Sequence, residues 1–448
     1  MVLAAADSGC RHCACRPASF PEDYKFVIPL SASRRAADSI MTAMTKQGRL
    51  PMRKLPILLA GLAAALPAFA QTLGEALEQA WARHPQASAV SAREDEARAR
   101  AELAGGITPG PAALSLSSLN DRLNRNRGKQ EWEAEMAVPL WLPGQRTARE
   151  AEAESALAEV AARSKALRLQ LAGEVREAWW AVAAARNASS LAKRRAATAR
   201  ALESDVQRRY KAGDLARIDA NLAQGERLAA EAEAIETEAV LLAAEQAWRN
   251  LTGTAAPAVL AEEGAAVARE PDENHPQLAA AAAAARTARS RLRVAEETRR
   301  DAPELAVRVV RERGDFSEPY ANTVGVKLTI PFSSGPRVRQ ENAAARAETI
   351  QADAEWALAR HKLQLDVEKV RLDLAAAERQ LAMARARHAL AADNLGLAEK
   401  AFSLGESDLT TLLRVRAGAF EAEAFLNRQQ VARAAVQSRL KQVLGVMP

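Results

Sequence analysis

The stretch EWEAEMAVPLWLPGQRTAR, Glu131 to Arg149, changes its period part-way. From Glu131 to Val138 the even positions are apolar and the odd ones mostly glutamate, the alternation of a strand with one apolar face. Pro139 and then Pro143-Gly144 break the chain. From Gln145 to Lys211 no proline interrupts an alanine-rich, charged run, which reads as one helix of about 100 Å at roughly 1.5 Å per residue. A helix of that length cannot fold onto a globular core. It has to lie along other long helices, and its many alanines let neighbours come close. The fold class expected is therefore mainly α with a small β part, built on long helical hairpins.

The same order of signals is written twice. A shift of 192 residues places Pro139 on Pro331, Leu171 on Leu363, Val175 on Val367, Tyr210 on Phe402, Gly213 on Gly405 and Gly253 on Gly445, without a gap. The words RHPQ (Arg83 to Gln86) and NHPQ (Asn274 to Gln277) open the corresponding helices, where proline costs least. Repeat 1 is placed at 71–256, a linker at 257–272 and repeat 2 at 273–448. Each repeat reads as a helix (73–104, then 276–299), a strand pair (112–118 with 131–140, then 305–311 with 321–332), a long helix (145–211, then 337–403), a glycine turn at Gly213 or Gly405, and a returning helix ending near Gly253 or Gly445. The apolar strand faces carry Trp132, Met136 and Val138 in the first copy and Val324, Val326, Leu328 and Ile330 in the second.

Of the 448 residues, 26% are charged and only 4% aromatic. Met52-Arg53-Lys54, the uncharged run Leu55 to Phe69 and the small-x-small site Ala68-Phe69-Ala70 form the pattern of a secretory signal peptide at 52–70. Residues 1–51 then read as an extension ahead of the true start, at Met44 or Met52. All three cysteines, Cys10, Cys13 and Cys15, fall there, and a lone CxxCxC cluster without a second ligand set is a weak metal signal. Residues 1–70 hold nine of the 62 Lys and Arg and four of the 56 Asp and Glu, which leaves 53 basic against 52 acidic groups. That near-neutral balance removes the basis for a nucleic-acid partner. No nucleophile–base set, metal-ligand spacing or phosphate loop stands out, and His84 and His275 have no ligand partners nearby in sequence, so no catalytic, cofactor or metal residue is assigned.

An exported chain without a long apolar run, but with one-sided strands, fits an outer-membrane β-barrel. Four strands cannot close one. Membrane strands leave no open edges, and barrels of this class have at least about eight strands, so several chains must pool their strands. Closure alone permits two, three or four copies.

With its signal peptide, its duplication, its strand pairs ahead of long helices, the segment VPLWLPGQRTAR (Val138 to Arg149) and the turn glycines Gly213 and Gly405, residues 71–448 resemble the TolC family of outer membrane efflux proteins. The segment PLWLPGQR, Pro139 to Arg146, most resembles its CzcC-like heavy-metal branch. The resemblance implies a homotrimer. Twelve strands, four per chain, cross the outer membrane of a Gram-negative cell, and an α-barrel extends into the periplasm to meet an adaptor protein and an inner-membrane pump, of RND type in that branch. It implies a passive duct and no enzyme. It also implies an acidic mouth six residues past the turn glycine. Asp219 matches, whereas Thr411 and Arg414 depart from the pattern. Asp219 can equally serve its own helix start. The adaptor contact is expected at the turns, around Gly213, Asp214, Leu215, Ile218, Gly405, Glu406, Asp408, Leu409 and Leu412. The competing readings are a periplasmic adaptor or structural coiled coil and, within the family, a drug or type I secretion duct.

Overall fold

The computed structural model describes residues 72–264, 270, 272–332 and 335–448; the segments expected as an extension (1–51) and a signal peptide (52–70), with the three cysteines, lie outside them. Repeat 1 comprises α1 (Leu73–Arg83), α2 (Pro85–Ala104), β1 (Ala113–Asn120), β2 (Gln130–Pro139), α3 (Gln145–Ala212) and α4 (Arg217–Thr252). Repeat 2 comprises α5 (Pro276–Glu297), β3 (Glu304–Arg313), β4 (Ala321–Thr329), α6 (Gly335–Ser403) and α7 (Leu409–Val443). The four longest helices lie side by side in the order α4–α3–α7–α6, with α5 between α3 and α6 and α2 against α3.

One expected element is corrected. The helix expected over 73–104 is two helices, because His84 holds an extended backbone (φ −71°, ψ 126°). Proline removes the N–H that would continue the helix and disfavours α geometry at the residue before it. HPQ therefore opens the second helix of copy 1 and the first of copy 2. In both copies the histidine ring is the cap: Nδ1 accepts the N–H of Gln86 or Gln277, at 3.3 Å each. The second strand of repeat 2 stops at Thr329, so Ile330 stands just outside β4.

The main core lies where α1 crosses the long hairpin. Leu73, Ala76, Leu77 and Ala80 of α1 pack on Leu171, Ala172, Val175 and Trp179 of α3, on Trp248 of α4 and on Ala434 of α7. The Trp179 and Trp248 rings meet at 5.5 Å with a 57° tilt, within the range for favourable aromatic pairs. Farther along, only alanines fill the contact: Ala196, Ala199 and Ala230. Small side chains there allow two long helices to run close together.

Two arginines of α3 strap the segment after α4 to this waist. Arg176, 3% exposed, grips Glu263 at 2.9 to 3.3 Å and also donates to the Gln442 side chain (2.5 Å) and the Val446 carbonyl (3.0 Å). Burial alone would raise the Glu263 carboxyl pKa, but hydrogen bonds from Arg176 and Ser438 outweigh it and hold the group below its ordinary value. Arg186 holds Glu245 at 2.9 Å together with the carbonyls of Ala256 and Pro257. A lone buried charge is costly, so these groups stay together.

Trp248 is wholly buried in the one large aromatic contact of the waist. Trp248→Ala should cost about 3–5 kcal/mol, read as a lowered denaturant midpoint, and Trp248→Phe should cost less.

Candidate functional site

Two regions carry no obvious role in holding the chain together: the tip where both hairpins reverse, and the sheet at the opposite end. At the tip Gly213 (φ 89°) and Gly405 (φ 79°) take the left-handed conformation, which glycine adopts without steric cost. Nothing lies within 4 Å of where a Cβ would stand at either position, so the requirement is conformational rather than one of space. The Asp214 N–H donates to the Arg209 carbonyl and the Glu406 N–H to the Ala401 carbonyl, at 2.9 Å each. The last turns of α3 and α6 are closed in the same way.

The helices that follow are capped differently in the two copies. In α4 the cap position is Ala216, and the Asp219 carboxylate reaches back to accept the Ala216 N–H at 3.1 Å. In α7 the cap position is Asp408, whose carboxylate accepts the Thr411 N–H at 2.8 Å. A full capping box uses both hydrogen bonds; here each repeat keeps one half of it. The departure of Thr411 from the acidic pattern therefore goes with a change of capping carboxylate: Asp219 serves the cap N–H of α4, whereas Asp408, at the position of Ala216, serves the Thr411 N–H of α7.

The apolar residues expected as exposed contacts divide. Leu409 and Leu412 are 2% exposed, buried against Leu202, Val206 and Phe402, with Leu215 packed beside them. They are the core of the tip and not its surface, because the first turn of α7 turns its apolar positions toward α3 and α6. Ile218 is exposed as expected. Leu404, immediately before the turn glycine and 72% exposed, joins it. Asp214 and Glu406 lie on the surface of the turns.

At the other end β1, β2, β3 and β4 pair antiparallel in that order. The register assembles one apolar face: Leu114 and Leu116 on β1; Trp132, Ala134, Met136 and Val138 on β2; Leu305, Val307 and Val309 on β3; Val324, Val326 and Leu328 on β4. Among the described residues no helix packs on it, and Trp132, Met136, Val324, Val326 and Leu328 are more than half exposed. Val138 is half-buried, and Ile330, beyond the strand end, is exposed. The residues on β1 and β3 were not singled out from sequence, because the serines of β1 and the arginines of β3 blur the alternation. The opposite face carries Glu131, Glu133, Glu135, Glu304 and Glu312 against Arg308 and Lys327. Arg308 stands 3.6 Å from Glu133, and Lys327 reaches over the buried Ala306 to Glu135 at 3.4 Å. Gly325, opposite Arg308, leaves that side chain room to lie flat, since a Cβ there would stand 3.2 Å from its Nε. Among the described residues no helix is long and apolar enough to cross a membrane.

Residues 268–446 match the outer membrane efflux protein family. That segment is the second repeat, so the match covers the copy that holds α5, β3, β4, α6 and α7. No curated protein matches the chain in sequence. The fold is that of solved outer membrane channels. VceC, an outer membrane protein of Vibrio cholerae, superposes with a TM-score of 0.68 at 17% identity over 84% of this chain and 96% of its own. The CmeC outer membrane channel of Campylobacter jejuni gives 0.68 at 13% identity over 83% and 85%. The MtrE outer membrane channel of Neisseria gonorrhoeae, in its open state, gives 0.68 at 16% over 84% and 89%. At these identities the likeness is one of fold. The coverage extends well beyond the second repeat, so repeat 1 shares in the likeness of fold although the sequence match lies in repeat 2.

The hydrogen bonds to Thr411, first those of the side chain and then that of the backbone, hold the Asp408 carboxyl below its ordinary pKa. A depressed carboxyl stabilises its cap at pH above the unfolded value, near 4, and the effect is lost as pH falls through the lower folded value. Protection of the Thr411 and Leu412 amides, taken relative to their intrinsic exchange rates, should therefore fall on acidification below about pH 4. Asp408→Ala should quicken the same amides at neutral pH and leave those of Ala216 to Ala220 unchanged.

Proposed function

We propose that the protein is the outer-membrane channel of a tripartite efflux system, a passive exit duct made of three copies. The observation that supports this best is that both layers leave unsatisfied lateral ends, the sheet at its edge strands and the helices at their outermost members. The sheet ends in two edge strands, β1 and β4, each paired on one side only. The helical layer ends in α4 and α6, and both present exposed apolar seams. On α6 these are Leu358, Leu365 and Leu372, then Met383, Leu390 and Leu397; on α4 they are Leu228, Ile235 and Leu242. Spacing by sevens is the signature of helices that supercoil on a partner, and the step of eleven from Leu372 to Met383 relaxes that supercoil locally. Two different ends that complement each other produce a head-to-tail ring. Three copies then supply twelve strands, an even number in the range of outer-membrane barrels; the choice of three rests on the family resemblance.

In that ring the apolar sheet face meets lipid and the acidic face lines the water-filled bore. Five carboxylates against two cations per chain give the bore a cation-attracting field. Together with the CzcC-like segment Pro139 to Arg146, this supports heavy-metal cations as the cargo. A pump of RND type in the inner membrane and a periplasmic adaptor would deliver it, the adaptor seating at the tips around Ile218, Leu404, Asp214 and Glu406. Three Asp219 carboxylates at the periplasmic mouth add to the same field.

Purified protein in detergent should run at three times the mass of the chain. Leu365→Asp combined with Leu390→Asp should abolish that species, and a wild type that is folded and stably monomeric overturns the ring. In planar bilayers the trimer should conduct cations in preference to anions. Asp219→Asn should lower that preference; unchanged selectivity removes Asp219 from the mouth.

A further inference from the structure

The apolar face of the sheet does not end in apolar residues. Past Val309 the same face carries Arg311, opposite Trp132 and Asn322, and then Arg313, opposite Gln130. Both arginines are held on aromatic rings. The Arg311 guanidinium stands 4.6 Å from the centre of Tyr320, and that of Arg313 stands 4.8 Å from Tyr320 and 5.4 Å from Phe316. The Tyr320 hydroxyl is fixed on the Gln130 side chain at 2.6 Å, and the Arg313 Nε donates to the Gly128 carbonyl at 3.1 Å. The two loops at this end are joined directly, since the Phe316 N–H donates to the Arg127 carbonyl at 3.2 Å.

The two faces of the sheet treat their cations differently. On the acidic face Arg308 and Lys327 each have a glutamate partner. On the apolar face, among the described residues, no carboxylate lies within ion-pair distance of Arg311 or Arg313. The loop beyond adds Arg122, Arg125, Arg127 and Lys129, all exposed and likewise without such a partner, beside a fully exposed Leu123. Its one acid, Asp121, is occupied by the N–H groups of Arg127 (2.7 Å) and Gly128 (3.3 Å).

Six residues separate Arg311 from Leu305 on β3, about 20 Å of strand, enough to carry the guanidinium groups out of the hydrocarbon to headgroup level. The ring-bearing loop has two acids, and both are engaged locally, Glu318 by the Gly314 N–H (2.9 Å) and Asp315 by the Ser317 N–H (2.6 Å). Cations stacked on rings at that level, with an apolar wall below them and no carboxylate within ion-pair distance, suit phosphate oxygens, which guanidinium binds in bidentate fashion. We propose that Arg311 and Arg313, assisted by the basic loop 122–129, form a site for the phosphate groups of a lipid in the outer leaflet. This rests on the reading of the chain as an outer-membrane channel, which sets the direction of the apolar face.

The test uses the purified full-length trimer, titrated with a bisphosphorylated glycolipid of the lipid A type, with its dephosphorylated form and with inorganic phosphate, bound lipid being counted by native mass spectrometry. The phosphorylated lipid should bind, the dephosphorylated form at least about tenfold more weakly, and inorganic phosphate should compete poorly. The double variant Arg311→Gln, Arg313→Gln should lose affinity about tenfold or more, while Arg311→Lys with Arg313→Lys retains part of it. Arg308→Gln, on the same strand but the opposite face, should leave it unchanged. Equal binding of the two lipids, an unaffected Gln double variant, or an equal loss in Arg308→Gln overturns the site. Conductance of the same preparations separates the two readings. A conducting Gln variant with unchanged lipid affinity removes only this site, whereas a wild type that forms no channel removes the function on which it rests.

Discussion

A backbone amide or carbonyl that finds no partner in hydrocarbon costs several kcal/mol, and the sheet of this chain leaves one full edge of β1 and one of β4 unpaired. The rest of the architecture answers to that constraint. A soluble protein would cover such a sheet with its own helices. Here the helices start at the sheet and run away from it, and its apolar face stays bare. In the proposed channel the edges are paired by other copies of the same chain. The helical layer repeats the arrangement, its heptad seams lying on the two outermost helices, α4 and α6. Sheet and helices thus call for the same closed ring, although one is built from backbone hydrogen bonds and the other from side-chain packing.

Duplication explains why the two ends of the chain can complement each other while differing in detail. Both copies keep the conformational punctuation: the histidine caps before Gln86 and Gln277, and the left-handed glycines at 213 and 405 and at 253 and 445. Backbone requirements of that kind allow few residue types. What surrounds them has diverged. Copy 1 carries α1, which fills the waist, and the copies have kept opposite halves of a capping box at the tip. At the waist the Arg176–Glu263 pair and the Arg176 bonds to Gln442 and Val446 tie the segment after α4 to the end of α7, so the two halves of the chain are held as one unit.

Much of this was legible along the chain, because it rests on local chemistry. Period-two alternation in Glu131 to Val138, prolines at 139 and 143, and an uninterrupted run after Gln145 dictate a strand, a break and a long helix wherever they occur. Gly213 and Gly405 mark reversals because few other residues enter that conformation cheaply. The split of the first helix at His84 was foreshadowed by Pro85, but its placement in the interior of an apolar run depended on α1 finding a core of its own against Trp179 and Trp248. β1 and β3 were harder to read, since Ser117, Ser118, Arg311 and Arg313 interrupt an alternation that appears only once the strands are in register.

The residues by themselves determined the order of elements, the duplication, the turns and the one-sidedness of β2 and β4, all properties of neighbours within a few positions. Tertiary structure decided which apolar side chains are core and which are surface. Leu409 and Leu412 differ from Ile218 and Leu404 in nothing that spacing near a turn can show, yet packing against α3 and α6 buries the first pair and leaves the second bare. It also decided that the cations of the acidic face are neutralised by glutamates two strands or one strand away while those of the apolar face stack on rings, because partners across a sheet are chosen by register, and register joins residues that lie far apart along the chain.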